Sequence, residues 1–153
     1  MRYVDGKFVQ IAPALGYTRR LVISVAETPN GTVWMGTRDH GVLALRHGQV
    51  FEPRGLPDRK VNCLLAGEAD TLWIGTDRGL ARWNGGEVTQ SGVPAQLRTA
   101  QVSAIARDHD SNVWVGTAHG LMRMTRQGGF EQDAHEGTVD PVTALFEDRE
   151  GNL

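Results

Sequence analysis

Apolar residues in this chain come in short runs broken by clusters of Gly, Asn, Asp and Pro, and the runs recur at a nearly fixed distance. Leu21–Glu27, Lys60–Ala66 and Gln101–Arg107 are rich in β-branched and small residues, the composition of strands. A turn follows each: Thr28-Pro29-Asn30-Gly31, Glu68-Ala69-Asp70 or Asp108-His109-Asp110-Ser111-Asn112. Next come Val33-Trp34-Met35-Gly36 and Leu72-Trp73-Ile74-Gly75, apolar at successive rather than alternate positions, which predicts strands buried on both faces. A polar loop leads to a third strand at Gly41–Leu45, Gly79–Trp83 and Gly120–Met124. A Gly turn then leads to a weaker fourth, such as Gln49–Glu52 or Glu87–Gln90. No helical period of useful length is present.

The runs are copies of one unit. Trp34-Met35-Gly36-Thr37, Trp73-Ile74-Gly75-Thr76 and Trp114-Val115-Gly116-Thr117 lie 39 and 41 residues apart. Twelve residues before each Trp stands Val22, Val61 or Val102, and ten before stands a small residue, Ser24, Cys63 or Ala104. Four antiparallel strands in about 40 residues is the pattern of a propeller blade. The fold expected is all-β: a partial β-propeller with three complete four-stranded blades at 16–55, 56–95 and 96–136, plus part-blades at both ends. Residues 1–15 read as the outer-strand remnant of a preceding blade, because Asp5-Gly6-Lys7-Phe8 matches His47-Gly48-Gln49-Val50. Residues 137–153 read as the first strand and turn of a truncated blade, ending where a fourth Trp would stand. All belong to one propeller domain. Within the phrase, Trp34, Trp73 and Trp114 are expected to wedge between blades, and Gly36, Gly75 and Gly116 to leave room for an approaching side chain. Thr37, Thr76 and Thr117 can bond the backbone where the strand ends.

Composition narrows the function classes. Net charge is −2 and the arginines are scattered, so no basic field argues for nucleic acid. The apolar stretches are far shorter than a membrane span, and the start has no apolar signal-peptide core. The single cysteine, Cys63, permits no internal disulfide and fills the small slot of its repeat as a buried apolar thiol.

Candidate chemistry lies in the loops. Asp108-His109-Asp110-Ser111-Asn112 resembles the front of a calcium loop, but Val113 stands where such a loop needs Gly and His119 where it needs a bidentate Glu. The segment reads as a hairpin turn, and no metal is expected. The loops after the second strands and before the first strands should share one rim of the propeller. They bring Arg38, Asp39, His40, Asp77, Arg78 and His119 together with Arg59, Lys60 and Arg98, flanked by Arg19, Arg20, Asp58 and Gln101. Many arginines with few acids suit an anionic or polyhydroxylated ligand; the alternative is a solvated charged rim. His40 and His119 hold equivalent places, but Arg78 replaces them in the middle copy, so they read as polar loop positions.

At Glu147-Asp148-Arg149-Glu150-Gly151-Asn152-Leu153 and Trp73-Ile74-Gly75-Thr76-Asp77-Arg78-Gly79-Leu80-Ala81-Arg82-Trp83 the chain resembles two-component regulator propeller repeats. The resemblance implies a sensory module on the periplasmic or outer side of a bacterial inner membrane. It also implies a signalling output elsewhere in the parent protein and a ligand that is a small molecule or oligosaccharide.

The reading is therefore a non-enzymatic fragment of a sensor propeller, with no cofactor, that binds a ligand or partner on its loop rim. A propeller lyase or hydrolase is the first alternative, although Asn62, Ser103 and Thr143 on the inner strands are poor catalysts. A pure protein-interaction scaffold is the second. An open arc of blades should expose apolar faces at its ends, to be covered by the remaining blades of the parent chain or by a second copy.

Overall fold

The computed structural model describes residues 2–4, 7–9, 20–124, 129–132 and 140–151. Strands β1 (Arg2–Val4) and β2 (Lys7–Val9) form an antiparallel hairpin. Three four-stranded antiparallel sheets follow, each paired in chain order. Blade one holds β3 (Val22–Glu27), β4 (Val33–Thr37), β5 (Val42–Arg46) and β6 (Gln49–Phe51). Blade two holds β7 (Val61–Ala66), β8 (Leu72–Thr76), β9 (Gly79–Trp83) and β10 (Val88–Thr89). Blade three holds β11 (Val102–Arg107), β12 (Val113–Thr117), β13 (Gly120–Met124) and β14 (Phe130–Gln132). The first strands are innermost, with both β3 and β11 packed on β7. The molecule is a partial β-propeller.

The glycine of each repeated phrase acts as a notch. A Cβ on Gly36 would stand 2.7 Å from Val61 Cγ1; one on Gly75 would stand 2.7 Å from Val102 Cγ1; one on Gly116 would stand 2.6 Å from Val142 Cγ1. The Val that opens each repeat thus sits against the Gly of the repeat before it. That contact fixes how closely and in what register successive blades stack. Each first strand then shifts register just after its Val, between Val22 and Ser24, Val61 and Cys63, and Val102 and Ala104. A shift of this kind frees one residue from the ladder. The freed Asn62 donates from Nδ2 to Val102 O at 2.9 Å, and the freed Ser103 donates from Oγ to Val142 O at 2.6 Å. The same repeated irregularity therefore also stitches each blade to the next.

Around the notches lie two apolar boundaries. Trp34, Val42 and Ala44 meet Val61, Leu64, Leu72, Ile74 and Trp83, with Trp34 and Trp83 ring centroids 5.5 Å apart. Trp73 and Leu80 meet Val102, Val113 and Val115, with Val93 and Leu97 sealing the edge. Trp34 is fully buried, and its indole N–H donates to Thr28 Oγ1 at 3.0 Å; Trp114 donates to Asp108 at 2.8 Å. A buried indole leaves a polar tip that needs a partner, and the turn six residues upstream supplies it. Truncating a buried Trp typically costs about 3–5 kcal/mol, more than the ~1 kcal/mol of its hydrogen bond, so packing is the larger share.

Three details differ from the sequence reading. The fourth strand of blade two shrinks to Val88–Thr89, and a 3-10 turn at Ala95–Arg98 follows, too short to leave a periodic signal. It buries Leu97 under blade two. Residues 142–147, expected as a strand, have no ladder partner. A first strand pairs with its own second strand, and none stands beside this segment among the described residues. It is held instead by Val142 N–H donating to Thr117 O at 3.0 Å and by the Val142 side chain at Gly116.

Gly36→Ala should destabilise the protein by about 1–3 kcal/mol, the usual cost of overpacking. In a Val61→Ala background the added methyl has space, so the same substitution should cost markedly less. A denaturant-melt double-mutant cycle measures that difference, and equal costs in both backgrounds would remove the notch from the account.

Candidate functional site

The three buried threonines of the repeated phrase shape the rim. Thr37, Thr76 and Thr117 each donate through Oγ1 to a carbonyl, Gly41 O at 2.7 Å, Gly79 O at 2.7 Å and Gly120 O at 3.0 Å. The same oxygens accept the amides of His40, Arg78 and His119 at 3.0, 3.2 and 3.0 Å. One hydroxyl therefore pins both sides of each loop that leaves a second strand. Those loops lie against the loops entering the first strands: Arg38 N–H donates to Leu21 O at 3.1 Å and Asp77 N–H to Lys60 O at 3.2 Å. Between blades, Gly41 N–H donates to Arg59 O at 2.7 Å. Both kinds of loop thus form one rim.

Asp77 is the hub of that rim. It accepts from Lys60 Nζ at 2.9 Å, Asn62 Nδ2 at 2.9 Å and Gln101 Nε2 at 3.1 Å. Burial pushes its carboxyl up, but the hydrogen bonds from Lys60, Asn62 and Gln101 and the Lys60 charge outweigh it and bring the group below its ordinary 3.8. Asp58 accepts the Lys60 amide at 2.7 Å and lies 3.8 Å from Arg78 Nε. Asp39 pairs with the His40 ring. The three rim acids are therefore each engaged. Arg38 and Arg59 are exposed, and neither guanidinium has a hydrogen-bond or ion-pair partner among the described residues.

The other rim candidates separate. Arg98 serves its own loop: its Nε donates to Val93 O at 2.8 Å, and its carbonyl lies where a Cβ on Gly79 would stand 2.1 Å away. Gly79, at φ +132°, is thus required by both conformation and space. His40 and His119 occupy equivalent exposed loops, and no hydrogen bond joins them. Among the described residues no three His, Cys, Asp or Glu side chains converge as a metal site. Asn62 gained a role that its residue type alone did not suggest, as the amide joining Asp77 to the next blade. Its position directly after the repeat's Val was the available signal. Arg82 and Arg123 were missed as well; each stacks over the Trp across the ladder, Trp73 at 5.6 Å and Trp114 at 5.5 Å. Their shared spacing, nine residues after each Trp, was visible in the sequence.

Away from the rim, the reactive-looking groups are structural. Burial pushes the Cys63 thiol up to about 12, so it stays protonated at neutral pH. The Asp108 carboxylate receives the Asn112 amide at 2.7 Å, Asn112 Nδ2 at 2.8 Å and the Trp114 indole at 2.8 Å. Burial opposes its ionisation, and these bonds outweigh that and hold it below 3.8. Asp108 is thus the clasp of a hairpin turn. His109 fastens residues 140–151 to blade three: its amide donates to Glu147 Oε1 at 3.0 Å and its ring meets the same carboxylate. Asp110 lies 3.4 Å from the other ring nitrogen.

Two outcomes are expected here. Cys63 should resist alkylation at pH 8 in the folded protein and react once the protein is unfolded in urea; rapid labelling of the native state would contradict its burial. The second concerns pH. Hydrogen bonding to Glu147 and the charge of Asp110 raise His109 above its ordinary 6.5, so its contribution is present below 6.5 and fades as pH rises through the raised value. The His109 amide and ring lower Glu147 below 4.5, so its contribution is present above 4.5 and fades as pH falls through the lowered value. Protection of the Val142 amide, corrected for intrinsic exchange, should therefore be greatest between about 4.5 and 6.5. His109→Ala should flatten the alkaline side of that profile.

Comparison with known proteins agrees with this geometry. Residues 55–78 and 96–119 match the family model described as Two component regulator propeller. Each segment runs from the loop entering a first strand to the loop leaving the Trp-x-Gly-Thr strand. No curated protein matches the chain. Among solved structures, it is similar to the extracellular domain of the hybrid two component system BT3049 from B. thetaiotaomicron, at 20% identity and a TM-score of 0.72. That match covers 88% of this chain and 19% of the other. The extracellular domain of BT4673 from the same organism matches at 21% identity and 0.67, over 86% and 19%. Virginiamycin B lyase from Staphylococcus aureus, solved with quinupristin, matches at 14% identity and 0.65, over 86% and 47%. The chain thus spans about a fifth of the first two proteins' length. The repeats of this partial propeller are two-component regulator propeller repeats.

Proposed function

We propose that this chain is part of the extracytoplasmic propeller of a bacterial signal-transduction sensor, and that its rim binds a small ligand with anionic or polyhydroxylated groups. The observation that carries the reading is the match of two whole inner hairpins, rim loops included, to the regulator-propeller family. Likeness in fold to extracellular domains of hybrid two component systems supports it. Among the described residues no helix is long and apolar enough to cross a membrane.

The chemistry follows from the rim. Arg38 and Arg59 keep unpaired guanidinium groups beside the ordered Asp77 hub, and guanidinium forks suit carboxylate, sulfate or vicinal hydroxyl oxygens. The Lys60, Asn62 and Gln101 contacts to Asp77 join blade two to blade three at the rim. A ligand that competes for these donors would alter the angle between the blades, and that shift would pass to a following domain.

A propeller lyase is the second reading, favoured by the shared fold with virginiamycin B lyase. Such an enzyme needs an acid or base free to act. Asp77 and Asp108 are engaged as acceptors and Cys63 is held protonated, which favours binding over catalysis.

A sulfated disaccharide and its unsulfated counterpart test the rim by thermal shift and calorimetry. The expected result is binding that weakens about tenfold or more in Arg38→Gln/Arg59→Gln, with an unchanged melt in the absence of sugar. Equal binding by the double variant would remove the rim arginines from the site. Turnover of either sugar would favour the enzyme reading.

A further inference from the structure

The face of blade one that looks away from blade two is open over its inner half. Val25 is 62% exposed, whereas Leu64, at the same place in the next repeat, is 9% exposed. Ile23 and Leu21 are 43% and 54% exposed beside it. Val22 is only half-buried, while its counterparts Val61 and Val102 are completely buried. Farther out on the same face, Leu43 is covered, so the open area is centred on β3 and β4.

A second observation points to the same missing component. In the register of the turn glycines, Gly6 corresponds to Gly48, which makes β1 and β2 the counterparts of β5 and β6. In each complete blade the third strand pairs with a second strand, as β5 does with β4, β9 with β8 and β13 with β12. The β1–β2 sheet has only two strands among the described residues, so β1 lacks that neighbour. An open third-strand edge and an open first-strand face both call for a first-and-second-strand hairpin.

We propose that this surface docks an inner hairpin bearing its own Trp-x-Gly-Thr phrase, which pairs with β1 and seats Val22 in its glycine notch. The occupant comes from a repeat outside these 153 residues rather than from a second copy. The chain holds three such glycines, and Val61, Val102 and Val142 already occupy them. A second copy would therefore have to surrender one of its own notches to accept Val22. The inferred boundary continues the one seen twice here, a Trp and Gly face over a Val, Leu and Ile face. It does not rest on the ligand reading of the rim.

The test supplies the hairpin. Residues 60–80 are repeated directly ahead of Met1, so that Gly79-Leu80 falls where Gly41-Val42 lies relative to its own turn. Val25→Cys then reports coverage by alkylation, with Ala at every Cys63 position, the residue that Ala104 already places in that slot. Alkylation should slow about tenfold in the fusion and recover when Leu replaces the added copy of Gly75. In the unfused chain the rate should not depend on protein concentration. An unchanged rate in a fusion whose β7 and β8 amides remain protected would overturn the proposal. So would protection that grows with concentration in the unfused chain, because a second copy would then be the occupant. If the fusion loses β7 and β8 protection, the 60–80 peptide added in excess to the unfused chain gives the same readout, and no slowing there overturns the proposal.

Discussion

The structure depends on a valine methyl resting where a glycine has no side chain. Three times in the described chain, the Val that opens one repeat lies against the Gly of the preceding Trp-x-Gly-Thr phrase, at distances that would crowd any Cβ. The contact is small, yet it sets the spacing and register at which the larger surfaces meet. Trp34, Leu72 and Ile74 become fully buried because that spacing lets neighbouring sheets interdigitate. Close-packed interiors tolerate little volume change, so one methylene in the notch would be felt along the whole boundary. Adjacent repeats thereby stabilise one another, while a single blade could not bury its own faces.

The same constraint separates structure from function along the chain. The inner strand gives its Val to the notch and its freed residue to the next blade, as Asn62 and Ser103 show. The second strand gives its Trp and Gly to packing and its Thr to the loop that follows. The rim loops are what remain, held at both ends but free to differ in length and charge. There the copies diverge, with Arg38-Asp39-His40 in one, Asp77-Arg78 in the next and Ala118-His119 in the third. A scaffold that fixes loop ends and leaves loop side chains unconstrained is suited to presenting a ligand site.

Several groups that look reactive in isolation are consumed by this architecture. Asp108 spends its carboxylate on Asn112 and Trp114, which explains why the rest of a calcium loop is missing around it. Cys63 fills the slot that Ala104 fills one repeat later, and burial keeps it a thiol. His109 and Glu147 form a fastening between blade three and the segment beyond it. In each case the side chain meets a need of the turn or boundary where it stands, and the tertiary contacts reveal that need.

The sequence by itself determined the repeat, the strand order and the parts of the Trp-x-Gly-Thr phrase. Those depend on local pattern: turn residues at set offsets, runs apolar on both faces, and a glycine where something must come close. It also marked the rim, because a loop that follows every second strand must lie on one side of the ring. The tertiary structure decided which residue enters each glycine notch, since Val61 and Gly36 are 25 positions apart and nothing local links them. It decided that Asp77, Lys60, Asn62 and Gln101 form one cluster while Arg38 and Arg59 remain unpaired, because hydrogen bonds between loops depend on distances that only packed blades define. And it decided that Val142 joins blade three without forming a strand, because a ladder needs a partner and a packing contact needs only a notch.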